Sequence, residues 1–176
     1  MKEKIFTEID YNSNDGMVTY IWGPPFWHVL HTISFNYPIK PTKENKDNYL
    51  EYFTSLKNIL PCGNCRKNYE QNLKILPITQ KVLKNRDSLS LWLYNMHELV
   101  NTHLEKKSGL SYDEVRERYE QFRSRCLIDT VKNDKGCVQP LYGIKSKCVL
   151  NIIPRSVRCD SIKIDKKSRI KKIILK

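Results

Sequence analysis

Between Phe26 and Cys126 the apolar residues recur three and four positions apart, and no stretch alternates apolar and polar residues in a sustained way. That periodicity calls for amphipathic helices and excludes a sheet as the framework. Gly23-Pro24-Pro25 opens a first helix, since proline is tolerated in the first helical turn. Phe26, Trp27, Leu30, His31, Ile33, Ser34 and Tyr37 follow at helical spacing, and Pro38 stops it. A second helix is expected from an N-cap at Thr42 to Leu60, with Tyr49, Leu50, Phe53 and Leu56 in its stripe. A third begins around Pro61-Cys62-Gly63-Asn64-Cys65 and runs to Leu76. The fourth runs from Asp87 or Ser88 to Lys107; Leu89, Trp92, Leu93, Met96, Val100 and Leu104 mark its buried side, and Gly109 closes it. Ser111-x-x-Glu114 is a capping box, and Val115, Tyr119, Phe122 and Cys126 give a short fifth helix its stripe. The expected fold class is all-α.

The flanks differ from this core. Residues 1–19 form a polar lead-in with Gly16 as a breaker, residues 20–126 the helical domain, and residues 127–176 a C-terminal extension. Val138–Leu141 and Cys148–Ile153 look extended and flank Tyr142-Gly143, a candidate β-hairpin turn. Beyond Pro154 apolar and basic residues alternate, as in an edge strand or a basic tail.

Charge needs care. The net charge is +12. Yet 22 of the basic residues are Lys and only 9 are Arg, with 14 Asn, 17 Ile and no Ala, a pattern that AT-rich codons favour. Residues 1–126 carry a net +3 and residues 127–176 a net +9, so the excess belongs to the extension. That extension lacks interleaved aromatics that could stack on bases, which argues against nucleic acid. With 40% hydrophobic residues, a real core can be buried and wholesale disorder is excluded. No window is long and apolar enough for a membrane span. The polar N-terminus shows no signal-peptide core, so secretion is not expected.

Six cysteines stand at 62, 65, 126, 137, 148 and 159. Cys62 and Cys65 form a C-x-x-C, which can close a small disulfide ring or hold a metal. At the start of a helix, backbone N–H groups and the helix dipole stabilise the first thiolate, and Arg66 and Lys67 add positive charge. A structural zinc site draws its ligands as two close pairs, and the remaining cysteines stand eleven apart. No metal is therefore expected. A thioredoxin-like fold would place the motif after a strand, whereas here a helix precedes it.

His97, Asn101 and Leu104 share one helix face, and His31 follows Trp27 by one turn. Each alone reads as a core polar group. Together they suggest an aromatic-lined, polar-tipped slot between two helices, suited to a planar heteroaromatic ligand.

Trp22-Gly23-Pro-Pro-Phe-Trp27-His-Val-Leu-His31, Tyr37-Pro38, Leu60-Pro61-Cys62-Gly63-Asn64-Cys65, His97-Glu98-Leu99-Val100-Asn101-Thr-His-Leu104-Glu-Lys106 and Arg118-Tyr119 occur in this order. So assembled, the chain resembles the Erv/ALR family of flavin-linked sulfhydryl oxidases. The resemblance implies a four-helix bundle with a short fifth helix that binds FAD. It places Gly23, Trp27, His31, Tyr37, Cys65, His97, Asn101, Leu104, Lys106 and Tyr119 at the cofactor. Cys65 would face the isoalloxazine ring, and Cys62 would exchange with substrate thiols. The implied reaction turns two protein thiols and O2 into a disulfide and H2O2. The implied partners are protein thiol substrates or a thioredoxin-like relay protein.

The match departs from cellular members at Pro24, at Glu98, at Tyr112 in place of a cysteine, and in lacking a second C-x-x-C. The Gly-Pro-Pro start and minimal core look like members encoded by large DNA viruses, with host cytoplasm or virion as the implied location. A homodimer is expected, because Ile33, Tyr49, Tyr52 and Phe53 offer more apolar surface than one bundle needs. For the late cysteines, a hairpin turning at Tyr142-Gly143 would set Cys137 opposite Cys148 as a structural disulfide; Cys126–Cys137 is the rival. The competing function is a basic scaffold or nucleic-acid-binding protein stapled by disulfides or zinc.

Overall fold

The computed structural model describes residues 5–13, 15–125, 137, 139–159 and 162–170. The chain forms two compact units, Met1–Ser108 and Gly109–Lys176. The first holds α1 (Glu8–Asn12), α2 (Thr19–Phe35), α3 (Lys43–Ile59), α4 (Gly63–Ile75), a 3-10 turn at Val82–Lys84 and α5 (Arg86–His103). The second holds α6 (Tyr112–Glu120), β1 (Ser124–Arg125), β2 (Gln139–Pro140) and a 3-10 turn at Lys166–Ser168. The unit boundary falls before α6, ahead of the expected end of the helical core at residue 126.

In the first unit α2 packs on α5, α3 on α4, and α4 and the 3-10 turn on α5. The bundle core is Leu30, Tyr37, Phe53, Leu56, Leu83, Leu89, Leu93 and Met96, all essentially inaccessible. Burying each such side chain contributes about 1.5–3 kcal/mol. Phe53 meets Trp92 edge-on, with ring centroids 5.4 Å apart. The buried aromatic donors are satisfied by backbone carbonyls: Tyr37 Oη donates to Leu83 O at 3.0 Å, Tyr69 Oη to Phe53 O at 3.0 Å, and Trp92 Nε1 to Leu76 O at 3.0 Å. Phe53 is thus spent internally, and Ile33, Tyr49 and Tyr52 are half-buried against the same core. Ile33, Tyr49 and Tyr52 keep part of their surface open.

Local signals set most helix ends. Thr42 caps α3 in a capping box with Asn45, and Ser111 caps α6 in one with Glu114. Four ends differ from expectation. α6 stops at Glu120, short of the stripe expected to run through Phe122 to Cys126, and Ser124–Arg125 is a strand instead. α2 begins at Thr19, a turn before the prolines. Its first turn is tied by Ile21 N donating to Val18 O at 3.0 Å and by Trp22 Nε1 donating to Met17 O at 3.0 Å. α5 begins one residue earlier, because Asn85 forms a capping box with Ser88. It also ends earlier, at His103, in a Schellman closure: Lys106 N donates to Asn101 O at 2.8 Å and Glu105 N to Thr102 O at 3.0 Å. Glu105 takes the left-handed conformation there, φ 53°, a place usually held by glycine. The lead-in, expected to be loose, holds the short helix α1, capped by Thr7.

The second unit corrects the hairpin. Gln139–Pro140 pairs antiparallel with Ser124–Arg125, with Ser124 opposite Pro140, and Leu141 N adds a bond to Arg123 O at 2.8 Å. Gly143 does turn the chain, at φ 83°, but residues 148–153 form no strand. Pairing of β2 with β1 thus replaces the arrangement that would set Cys137 across from Cys148. Cys148 is a free, exposed thiol, as is Cys159, while Cys137 is disulfide-bonded. The expected Cys137–Cys148 bridge is therefore not formed. Cys126, one end of the rival pairing, lies outside the described residues.

Candidate functional site

α3 ends where Pro61 cannot continue it. Cys62 N donates to Leu60 O at 2.7 Å, a γ-turn centred on the proline, and Cys62 becomes the N-cap of α4 in extended conformation. Its sulfur accepts from Cys65 N at 3.2 Å and is bonded to Cys65, with Cα atoms 5.1 Å apart. A sulfur held at the N-terminus of a helix this long gains from the helix dipole when it carries charge. Arg66 braces the corner, its guanidinium donating to Leu60 O at 2.6 Å.

The lead-in wraps this corner. Met17 N donates to Pro61 O at 2.7 Å. Gly16, at φ 81°, lies so close that a Cβ would stand 2.2 Å from Pro61 O. Thr19 Oγ1, in the first turn of α2, lies 3.8 Å from Cys65 Sγ. Beside the disulfide is a polar recess of about 160 Å³ lined by Ser13, Asp15, Gly63, Asn64 and Lys67. Sequence reading missed Gly16, Met17 and Thr19. Gly16 was visible only as a breaker, and nothing local tells that its neighbour is residue 61.

The second cluster joins α2 to α5. Trp27 and His97 stack with centroids 3.9 Å apart and planes 5° from parallel. His31 Nε2 and His97 Nδ1 share a hydrogen bond at 3.0 Å. Burial pushes the His31 pKa down to about 3, with the neighbouring His97 and His28 adding to the effect. Burial takes His97 down to about 4, partly opposed by Glu98. Both imidazoles are therefore neutral at pH 7, one nitrogen donating and the other accepting. Asn101 Nδ2 donates to Glu98 Oε1 at 2.9 Å, so the glutamate at the departing position orients the amide. The Schellman closure then brings the Lys106 ammonium 4.8 Å above the Tyr20 ring, a cation–π contact, and leaves Leu104 exposed.

Tyr37 and Gly23 do not join these clusters. Tyr37 lies beyond the far end of α2, its ring against Tyr49 at 4.6 Å and its hydroxyl committed to Leu83; its role in the bundle is packing. A Cβ on Gly23 would meet only Thr19 Cγ2, at 3.5 Å, so packing does not demand a glycine. Tyr119 belongs to the second unit, where it is buried and meets Phe122 edge-on at 5.8 Å; burial raises its phenol pKa. The expected slot is also filled from within, because Trp27 and His97 lie directly on one another. A planar ligand would stack on an outer face of that pair or part the two rings. Among the described residues no group of His, Cys, Asp and Glu could hold a metal ion. No described helix is long and apolar enough to cross a membrane.

In kind, the donors of the first unit suit a flavin dinucleotide. Trp27 and His97 offer aromatic faces, the neutral imidazoles and Asn101 offer hydrogen bonds, and Lys106 offers a charge for phosphate.

Comparison with known proteins agrees. Residues 24–120 match the Erv1 / Alr family model. The chain is 40% identical over 100 residues to a probable FAD-linked sulfhydryl oxidase of Acanthamoeba polyphaga mimivirus, covering 57% of this chain and 69% of that one. It is 31% identical over 114 residues to an FAD-linked sulfhydryl oxidase of African swine fever virus, covering 65% and 89%. Its fold is similar to the crystal structure of the FAD binding domain of Erv1 from Saccharomyces cerevisiae, with a TM-score of 0.54 and 24% identity over 58% of this chain and 94% of that one. With its disulfide capping α4, its α2–α5 ring cluster and a family match over most of the helical core, this chain belongs to the Erv1/Alr family.

Proposed function

We propose that this chain is a flavin-dependent thiol oxidase that makes disulfide bonds in protein substrates. The observation that carries the reading is the Cys62–Cys65 disulfide seated as the N-cap of α4. A substrate thiolate attacks Cys62 Sγ; a mixed disulfide forms, the Cys62–Cys65 bond breaks, and its electron pair leaves on Cys65 Sγ. A second substrate thiol then resolves the mixed disulfide and frees Cys62 as a thiolate. The substrate gains a disulfide, and the enzyme pair holds two electrons. Bound FAD would supply the two-electron acceptor that re-forms the Cys62–Cys65 bond and reduces O2 to H2O2.

Trp27, His31, His97, Asn101, Leu104 and Lys106 are the residues of the first unit that would hold the cofactor. The His31–His97 hydrogen bond fixes both rings in one orientation. Their low pKa values keep positive charge off the aromatic stack, so Lys106 supplies the cation of this set. The relatives named above support a viral origin and protein thiols as substrates. A thioredoxin-like relay and a homodimer belong to the same proposal as partners.

Two measurements test the reading. The purified protein should be yellow, with a flavin absorption band. Cys62→Ser and Cys65→Ser should each reduce dithiol-driven oxygen uptake to background, while Cys148→Ser and Cys159→Ser retain uptake with a small dithiol. A colourless protein, or normal uptake in either Cys62→Ser or Cys65→Ser, would sink it.

A further inference from the structure

The first-turn hydroxyl of α2 points at one sulfur of the redox pair. Thr19 Oγ1 lies 3.8 Å from Cys65 Sγ. A disulfide sulfur carries no hydrogen, so the hydroxyl is the donor. The placement is not left to a free side chain. The lead-in immediately before Thr19 is pinned to the C-x-x-C corner by Met17 N on Pro61 O at 2.7 Å. Gly16 makes the approach possible, since any Cβ there would collide with Pro61 O. Trp22 Nε1 closes the same turn on Met17 O at 3.0 Å.

We infer that Thr19 stabilises the Cys65 thiolate when the disulfide opens. The lead-in strap of Gly16 and Met17 is the device that holds Thr19 in place. The inference rests on the exchange chemistry proposed above. As the bond from Cys62 Sγ to substrate forms and the Cys62–Cys65 bond breaks, the electron pair goes to Cys65 Sγ. A hydrogen bond from Thr19 to that sulfur strengthens as charge develops, because bonds to ionised acceptors are about twice as strong as neutral ones. Cys62 has the helix terminus, and Cys65, one turn into α4, has Thr19. The two sulfurs are therefore served by different donors.

The test reads Cys65 alone. In the full-length protein carrying Cys62→Ser, the rate of iodoacetamide alkylation at Cys65 is followed against pH, peptide by peptide, by mass spectrometry. Adding Thr19→Val, which keeps the shape and removes the hydroxyl, should raise the pH midpoint by about one unit, leaving about tenfold less thiolate at pH 7. Adding Thr19→Ser should keep the midpoint near that of Thr19. A midpoint unmoved by Thr19→Val, or moved equally by Thr19→Ser, overturns the inference. Alkylation needs neither flavin nor oxygen. A Thr19→Val shift in a protein without oxidase activity would thus leave this inference standing and remove the proposed function. An active oxidase with an unmoved midpoint would do the reverse.

Discussion

The two units of this chain use their apolar residues in opposite ways. In the first, Phe53, Leu83, Leu89, Leu93 and Met96 are fully enclosed. In the second, only Val115 and Tyr119 are buried hydrophobics among the described residues, while Ile144, Val149, Leu150, Ile152 and Val157 stand exposed. Aliphatic content does not separate them, since both contain many Ile, Leu and Val. Spacing does. Residues three and four apart bring their side chains onto one helix face, and four such faces can bury one another. Residues 144–157 form neither helix nor strand, so their apolar side chains gain no shared face.

This contrast can be broken most directly by truncating matched side chains. Phe53→Ala should destabilise the protein by about 3–5 kcal/mol, the usual cost of an aromatic cavity in a packed core. Ile152→Ala, at 68% exposure, should change stability by no more than about 0.5 kcal/mol. Urea unfolding measures both, and comparable losses would show that residues 139–159 contribute a core of their own.

Acid should act through the first unit, which holds buried His31 and half-buried His97. Their folded pKa values lie near 3 and 4, below the 6.5 of a free imidazole. Below pH 6.5 the unfolded chain therefore takes up protons that the folded chain refuses. Stability is fully present above about pH 6.5 and is lost as pH falls through 4 toward 3. Thermal midpoints between pH 7 and 4 should fall for the wild type and fall less steeply for His97→Gln. Equal slopes would mean that the His31–His97 pair is not buried as described.

The smallest effect sharpens the comparison from the other side, because both units use the same local device. Thr42→Ala in α3 and Ser111→Ala in α6 each remove a capping-box hydroxyl. Each should cost about 1 kcal/mol whichever unit it occupies. Hydrogen exchange at the first turns of α3 and α6 would record this as faster opening of those turns.

How far the site could be read follows the same division between local and long-range causes. Cys62 and Cys65 were legible because a helix start, a proline stop and a two-residue spacing are properties of adjacent residues. Trp27, His31, His97 and Asn101 were legible as helix faces, and α2 packing on α5 brings Trp27, His31 and His97 together. Tyr37 shows the limit. The family resemblance implied a ligand contact, but the carbonyl that receives its hydroxyl belongs to Leu83, far along the chain. The Cys137–Cys148 pairing failed for a related reason. Strand partners are chosen across the chain, and residues 123–125 supplied the partner that the turn alone could not reveal.

The sequence by itself determined the five main helices, the caps at Thr42 and Ser111, and the C-x-x-C at the head of α4, because periodicity, capping and motif spacing act within a few residues. Tertiary structure alone decided that Trp27 lies flat on His97, that Glu105 adopts a left-handed turn to carry Lys106 over Tyr20, and that the lead-in folds onto Pro61 to set Thr19 against Cys65. These contacts bring together groups from separate segments, and the packing that selects one partner among many acts only once the helices have docked.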